Sequence, residues 1–266
     1  MRIGTTTPSY SSYYQSMDKQ QKAMLRIATG QRINNAADNA ASLAISESMR
    51  GQIRGLSQAS GNIQDSISLL NTSEGAMRNS SDVVQRMREL NIQAANGTYT
   101  DEDRAAIQAE MNQLSAQLDS TANNTEFNTM PTNNGSLNNF YTQAGANSGQ
   151  NVSFSIGNTS AAALGINTDV STQAAAAGNL QSIDNGLDSL LSSRVQVGAI
   201  TNRLTFSGEN ATQAATTTQS SESRLRDTDI AQQVSLFQQS SVGLYAAMMA
   251  MSKGLAAQQN SLSLLA

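Results

Sequence analysis

Catalysis needs side chains that can exchange protons, attack carbon or hold a metal, and this chain offers few in usable patterns. It contains no Cys and no His, which removes thiol nucleophiles, disulfides, imidazole bases and the commonest zinc ligands together. Without His no serine triad can form, and no G-x-S-x-G elbow, G-x-x-x-x-G-K-[ST] loop or G-x-G-x-x-G turn occurs. Asp101, Glu102 and Asp103 stand close enough in sequence to suggest metal ligands. At the start of a helix the same acids face the positive end of its dipole, and Thr100 to Asp103 has the spacing of a capping box, which is the reading we prefer. Met248, Met249 and Met251 suggest a soft metal site on paper, but at helical spacing they read as packing residues. No catalytic residue, metal ligand or cofactor is therefore expected.

Charge and hydropathy exclude further classes. The formal net charge is −4, and the only lysines are Lys19, Lys22 and Lys253. No basic patch points to nucleic acid. No run approaches the ~18 apolar residues that cross a bilayer. Residues Met1 to Tyr14 are polar and lack the apolar heart of a signal peptide, so secretion would need another route. Aromatic residues make up 4% of the chain and Trp is absent. A rounded core of this length is usually anchored on more rings, whereas long helices that each bury one stripe need fewer.

The elements that would carry any function are helical. Pro8 and Pro131 are the only prolines, so the stretch between them can be helical without a proline break. Met49, Ile53, Leu56, Ile63, Ile67, Leu70 and Met77 recur at alternating steps of four and three, with Ser60 and Glu74 as polar members. That is the heptad spacing of a helix packed along its length on another helix. Asn96-Gly97 should end it. A second helix should run from Thr100 to about Asn124 with Ile107, Met111, Leu114 and Leu118 inward. Residues 131–178 turn rich in Asn, Gly, Ser and Thr, and Val152, Phe154 and Ile156 alternate as in a strand, so a small β-hairpin region is expected there. Helical spacing resumes at Leu180 with Ile183, Leu187, Leu190, Val197 and Leu204. The last stripe is the longest: Ile230, Val234, Phe237, Leu244, Met248, Met251, Leu255, Leu262 and Leu265. It needs a cover. The N-terminal residues Tyr10, Tyr14, Met17, Met24 and Ala28 offer one, and copies of the chain offer more, so these nine residues are the expected assembly interface. The fold class expected is mainly α, with long antiparallel helices in a coiled coil or bundle and a small β-hairpin region.

Several segments are similar to the bacterial flagellin family. They are Leu25 to Met77 (LRIATGQRINNAADNAASLAISESMRG and onward), QRMRELNIQAANGT from Gln85 to Thr98, AAIQAEMNQL and NTEFN. SSRVQVGAITNRL, SRLRDTDIAQQV and the terminal NSLSLLA complete the set. These blocks lie in order at both ends of the chain. Only about fifty residues separate them, so the chain resembles a minimal flagellin without variable outer domains. The resemblance implies a non-enzymatic subunit of the extracellular flagellar filament, serving swimming motility and exported without a cleaved signal peptide. It implies a terminal coiled-coil domain, 1–38 plus 224–266, lining the filament core. An outer helical bundle, 39–223, would carry the β-hairpin region. The partners it implies are further copies in a helical homopolymer, the flagellar export apparatus, an export chaperone, the filament cap and the hook-junction proteins. Neither nucleic acid nor membrane is among them. It also places Arg86, Leu90 and Glu110 where the family contacts the animal Toll-like receptor that senses flagellin. Leu114 and Ser115 depart from the Arg-Leu pair of many recognised members.

Three rival readings remain at this level. A hook–filament junction protein would share the terminal helices, but NTEFN and SLSLL are flagellin-like. An intracellular coiled-coil scaffold would explain the heptads but not the terminal blocks. A catalytic insert in 131–178 would have Asp169 as its sole carboxylate.

Overall fold

A computed structural model describes residues 7–263. Among them five helices and two short hairpins follow one another: α1 (Thr7–Thr29), α2 (Ala36–Ala95), α3 (Asp101–Asn124), β1 (Glu126–Phe127), β2 (Met130–Pro131), β3 (Phe140–Gln143), β4 (Asn151–Phe154), α4 (Gln173–Arg226) and α5 (Ile230–Ser263). The chain divides into two compact units, residues 1–51 with 217–266 and residues 52–216.

The first unit pairs α1 with α5. α1 stops where Gly30 takes a positive φ of 69° and returns its N–H to the Arg26 carbonyl at 2.9 Å, an ending that only glycine adopts without strain. That break lies between the two prolines and comes from glycine, not from proline. Asn39 is extended (φ −167°, ψ 98°) and its Oδ1 accepts from the Ser42 N–H at 3.0 Å. It therefore acts as the N-cap of the long straight run of α2.

The second unit is a helical bundle with its loops folded onto it. α2 contributes Ile63, Leu70, Met77, Val84 and Met87, α3 contributes Ile107, Met111 and Leu118, and α4 contributes Ile183, Leu190, Val197 and Leu204, all buried. The heptad positions on α2, α3 and α4 named from the sequence are the inward ones. α3 begins as expected: the Thr100 side chain accepts from the Asp103 N–H at 3.2 Å and Asp103 Oδ2 accepts from the Thr100 N–H at 3.0 Å. Asp103 is thus occupied as a cap.

The irregular segment is tied to the helices by buried polar pairs. Ser66 Oγ meets Thr142 Oγ1 at 2.6 Å and Ser73 donates to Asn133, while the Asn91 amide of α2 donates to the Ala176 carbonyl of α4 at 2.7 Å. Gly55 permits a close approach of the loop: a Cβ there would sit 2.8 Å from the Ala146 Cβ. Gly51 has open space. The strands form β1–β2 and β3–β4 antiparallel hairpins, the second with Phe140 opposite Phe154. The first hairpin begins before residue 131. Its turn holds Asn128 and Thr129 at φ 50° and 64°, as the right-handed twist of a two-residue hairpin demands. α4 starts at Gln173 rather than Leu180, because Thr172 caps it through Ala175 N–H (3.1 Å). The alanines that follow are strong helix formers without an apolar period to betray them.

Met77 is fully buried, whereas Phe206 is 70% exposed. Met77→Ala should cost ~2–5 kcal/mol of unfolding free energy through transfer and cavity terms. Phe206→Ala should change it by no more than about 0.5 kcal/mol. Urea unfolding followed by circular dichroism measures both.

Candidate assembly interface

Two helices that meet in a pair can cover only one stripe of each. On α5 the residues that lose exposure are Gln233, Phe237, Ser240, Leu244, Ala247 and Met251, at strict steps of four and three. On α1 they include Tyr13, Ser16, Gln20, Ala23 and Ile27. Small and polar residues alternate with larger ones along this seam, and at Gly243 an added Cβ would lie 3.2 Å from Ser16 Oγ. The α5 backbone passes close to the Ser16 side chain there.

The seam is turned by about one residue from the stripe read off the sequence. Phe237, Leu244 and Met251 belong to both and are half-buried within the chain. Ile230, Val234, Met248 and Leu255 stand outward and exposed. On α1 Tyr10, Tyr14, Met24 and Ala28 are also exposed and only Met17 is partly covered, which corrects the expectation that they cover α5. The seam holds Phe237, Leu244 and Met251 between the polar and small Gln233, Ser240 and Ala247, and the other bulky residues of α5 lie outside it. The Leu262 side chain and Leu265 lie outside the described residues.

Where α1 and α5 meet α2 and α4, one arginine organises the chain. Arg226, 8% exposed, donates through Nη1 to Glu47 Oε1 at 2.6 Å and through Nε to Gln31 Oε1 at 3.0 Å. Its carbonyl accepts from the Arg32 N–H at 2.6 Å, and the Thr228 N–H donates to the Gly30 carbonyl at 3.0 Å. Ile33 is buried beside these bonds in sequence. The sequence reading did not name Arg226 or Glu47. Their partners lie far away along the chain, so no local spacing signals them.

In the second unit Arg86 and Glu110 come together, with Arg86 Nη2 donating to Glu110 Oε1 at 2.9 Å and Nη1 to Glu89 Oε2 at 3.2 Å. Mutual hydrogen bonding raises the Arg86 pKa above its ordinary value, with Glu110 the main cause and Glu89 second. Leu90, expected beside Arg86 as a surface contact, is 2% exposed and sits in the core. Residues four apart share a sector of a helix, yet the sector here straddles the boundary between solvent and core. Among the described residues no group of three His, Cys, Asp or Glu could hold a metal ion, and no helix is long and apolar enough to cross a membrane.

This arrangement has close counterparts. Residues 6–137 match the model of the bacterial flagellin N-terminal helical region, and residues 180–265 match that of the bacterial flagellin C-terminal helical region. The chain belongs to the bacterial flagellin family. A flagellin of Halalkalibacterium halodurans is 38% identical over 234 residues, covering 85% of each chain. The flagellar filament 31.3 kDa core protein of Treponema maltophilum is 36% identical over 263 residues, 92% of each. The crystal structure of Bacillus cereus flagellin superposes with a TM-score of 0.53 at 28% identity, over 57% of this chain and 88% of that one. This flagellin therefore follows the mainly α architecture of its relatives, with long helices and two small strand pairs.

In this flagellin the Glu47 carboxyl is held below its ordinary value of 4.5, first by the hydrogen bond from Arg226, which outweighs the opposing desolvation, and then by Arg50. A depressed carboxylate stabilises the fold above its unfolded value, and that contribution is lost as pH falls through the folded value. Glu47→Gln has no such charge to lose. Its thermal melting should therefore lie below wild type at pH 7, and the gap should close as pH falls below 4.5. A gap that stays constant with pH would show that the Arg226 pair contributes nothing.

Proposed function

We propose that this flagellin is a structural, non-enzymatic subunit that polymerises into the bacterial flagellar filament and serves motility. In this reading residues 1–38 and 224–266 line the filament core, and 39–223 form the outer bundle. Export through the flagellar apparatus, an export chaperone, the filament cap and the hook-junction proteins are the partners that belong to it. The observation that carries it is the uncovered outer face of the terminal helices. Val242, Tyr245 and Met249 on α5 are 67%, 64% and 61% exposed, alongside the outward Ile230, Val234, Met248 and Leu255. A face this apolar in water needs a protein partner. A partner that is the same chain, met through a different surface, generates an open helical polymer. The junction-protein reading draws no support from the relatives, which are named as flagellins and filament core proteins.

Val234→Asp with Leu255→Asp tests it. Both side chains are exposed in the single chain, so helicity by circular dichroism should be retained. Burying two carboxylates between copies is unfavourable by several kcal/mol, so electron microscopy after seeding should show no filaments. Normal filaments from the double variant would sink the assignment of this face.

A second reading concerns recognition by the animal Toll-like receptor for flagellin. The exposed Arg86–Glu110 pair supports it, since a planar guanidinium beside carboxylates on two helices offers several directed contacts at once. In a cell reporter assay on monomer, Arg86→Ala and Glu110→Ala should weaken the response. An unchanged response in both would show that these residues are not the contact. Leu90→Ala reads packing rather than contact, because Leu90 lies in the core.

A further inference from the structure

Charge is divided unevenly along the chain. Residues 1–51 and 217–266 carry nine Lys and Arg against six Asp and Glu, whereas residues 52–216 carry seven against fourteen. The cationic surplus of the first unit has a focus. A groove of about 410 Å³ between α1 and α5 is walled by Lys19, Lys22 and Arg26 on one side and by Leu236 and Gln239 on the other. The floor includes Gln233, which is 5% exposed. The Gln233 Oε1 atom has no hydrogen-bond donor among the described residues.

The acids nearby do not complete this site. Asp18 meets Lys22 at 2.7 Å. Asp38 lies within the field of Arg26 and Lys22, but its Oδ2 already accepts from the Asn34 and Asn35 N–H groups at 3.1 Å each. No ion pair among the described residues engages Lys19 or Arg26. The other wall cannot answer them, since α5 contains no Asp or Glu between Ile230 and Ser263.

We propose that this groove is a seat for a second copy of the chain, which brings a carboxylate to Lys19 and Arg26 and an N–H or O–H donor to Gln233. The inference rests on the filament reading and deepens it. A polymerising chain meets its own copies first. The acid surplus on residues 52–216 is the complement that the cationic groove lacks. A contact between unlike surfaces of two identical chains permits that pairing, and complementary charge fixes which register is productive. Gln233 lines the floor with its Oε1 buried and unpaired, so a donor brought by the docking copy satisfies a carbonyl that the single chain leaves without a partner.

Lysine chemistry reads the groove site by site, because the chain has only three lysines. Acetylation with an amine-reactive ester, followed by mass spectrometry, should modify Lys19 and Lys22 in the monomer and spare both in wild-type filaments. Filaments grown from mixed heavy- and light-isotope protein and treated with a zero-length carbodiimide should yield heavy–light peptides joining Lys19 or Lys22 to an Asp or Glu of the other copy. Lys19→Glu with Arg26→Glu should retain the helical circular dichroism of the monomer and lose assembly. Wild-type filaments whose Lys19 and Lys22 acetylate as in monomer would overturn the proposal and leave the filament reading standing. Lysines already protected in monomer would give the groove to another part of the same chain and overturn it too. A wild-type protein that forms no filaments would overturn the filament reading itself, and this inference with it.

Discussion

An α-helix of heptad sequence has one stripe to bury against each neighbour, and the number of neighbours decides how much of it remains in water. In residues 52–216 the helical segments and a folded-back loop region surround one another, and Met77, Met111 and Leu190 are wholly enclosed. In the terminal unit α1 has α5 and α5 has α1. A pair cannot enclose residues on both faces of either helix. The outward Val242, Tyr245 and Met249 follow from that count of neighbours, and so does the need for further copies.

The two units also solve the polar side of burial differently. The loop region of the second unit is pinned by hydroxyl and amide groups that meet α2, as Asn133 does at the Ser73 carbonyl and Thr142 does at the Ser66 hydroxyl, and the Asn91 amide of α2 reaches the Ala176 carbonyl of α4. Each such bond satisfies a group whose burial would otherwise be costly. At the junction of the terminal helices one guanidinium does comparable duty. Arg226 joins Gln31 and Glu47, and its own carbonyl holds Arg32. A planar fork with several fixed donors can hold two chain segments at once, which a lysine ammonium on a flexible stem does less well.

How much of this was legible in the sequence depends on whether the signal was local. The Thr100–Asp103 cap and the heptads of α2, α3 and α4 are periodic or adjacent features, and they led directly to the helices and to the inward residues. The α5 stripe was legible as a stripe but not as to which edge faced inward. Hydrophobicity marks Val234 and Met248, whereas the edge that faces α1 buries the small Ser240 and Ala247. Leu90 was misplaced for a related reason, since spacing gives the sector and not the depth of the neighbours over it. Arg226 with Glu47, 179 residues apart, left no local trace at all. The early start of α4 hid in an alanine run that has helix propensity but no period.

The composition of the α1–α5 seam bears on what the terminal unit does. A coiled coil gains most when Leu, Ile or Val fill its inner positions, and polar members fix register at a cost in stability. Here Gln233 and Ser240 are buried members of that seam, and Ala247 offers little surface to bury. The intramolecular pair is accordingly held to one register yet buries modest apolar area. Phe237, Leu244 and Met251 are only half-buried in it, and Val234, Val242, Met248 and Leu255 stand outside it, so much apolar surface stays uncovered until another chain arrives. In the proposed assembly, stability of the terminal unit rises with the concentration of its own copies, as for any state that a partner binds selectively. A leucine-filled inner seam would invert that balance. It would stabilise the lone pair and leave a polar outer face with nothing to offer a neighbour.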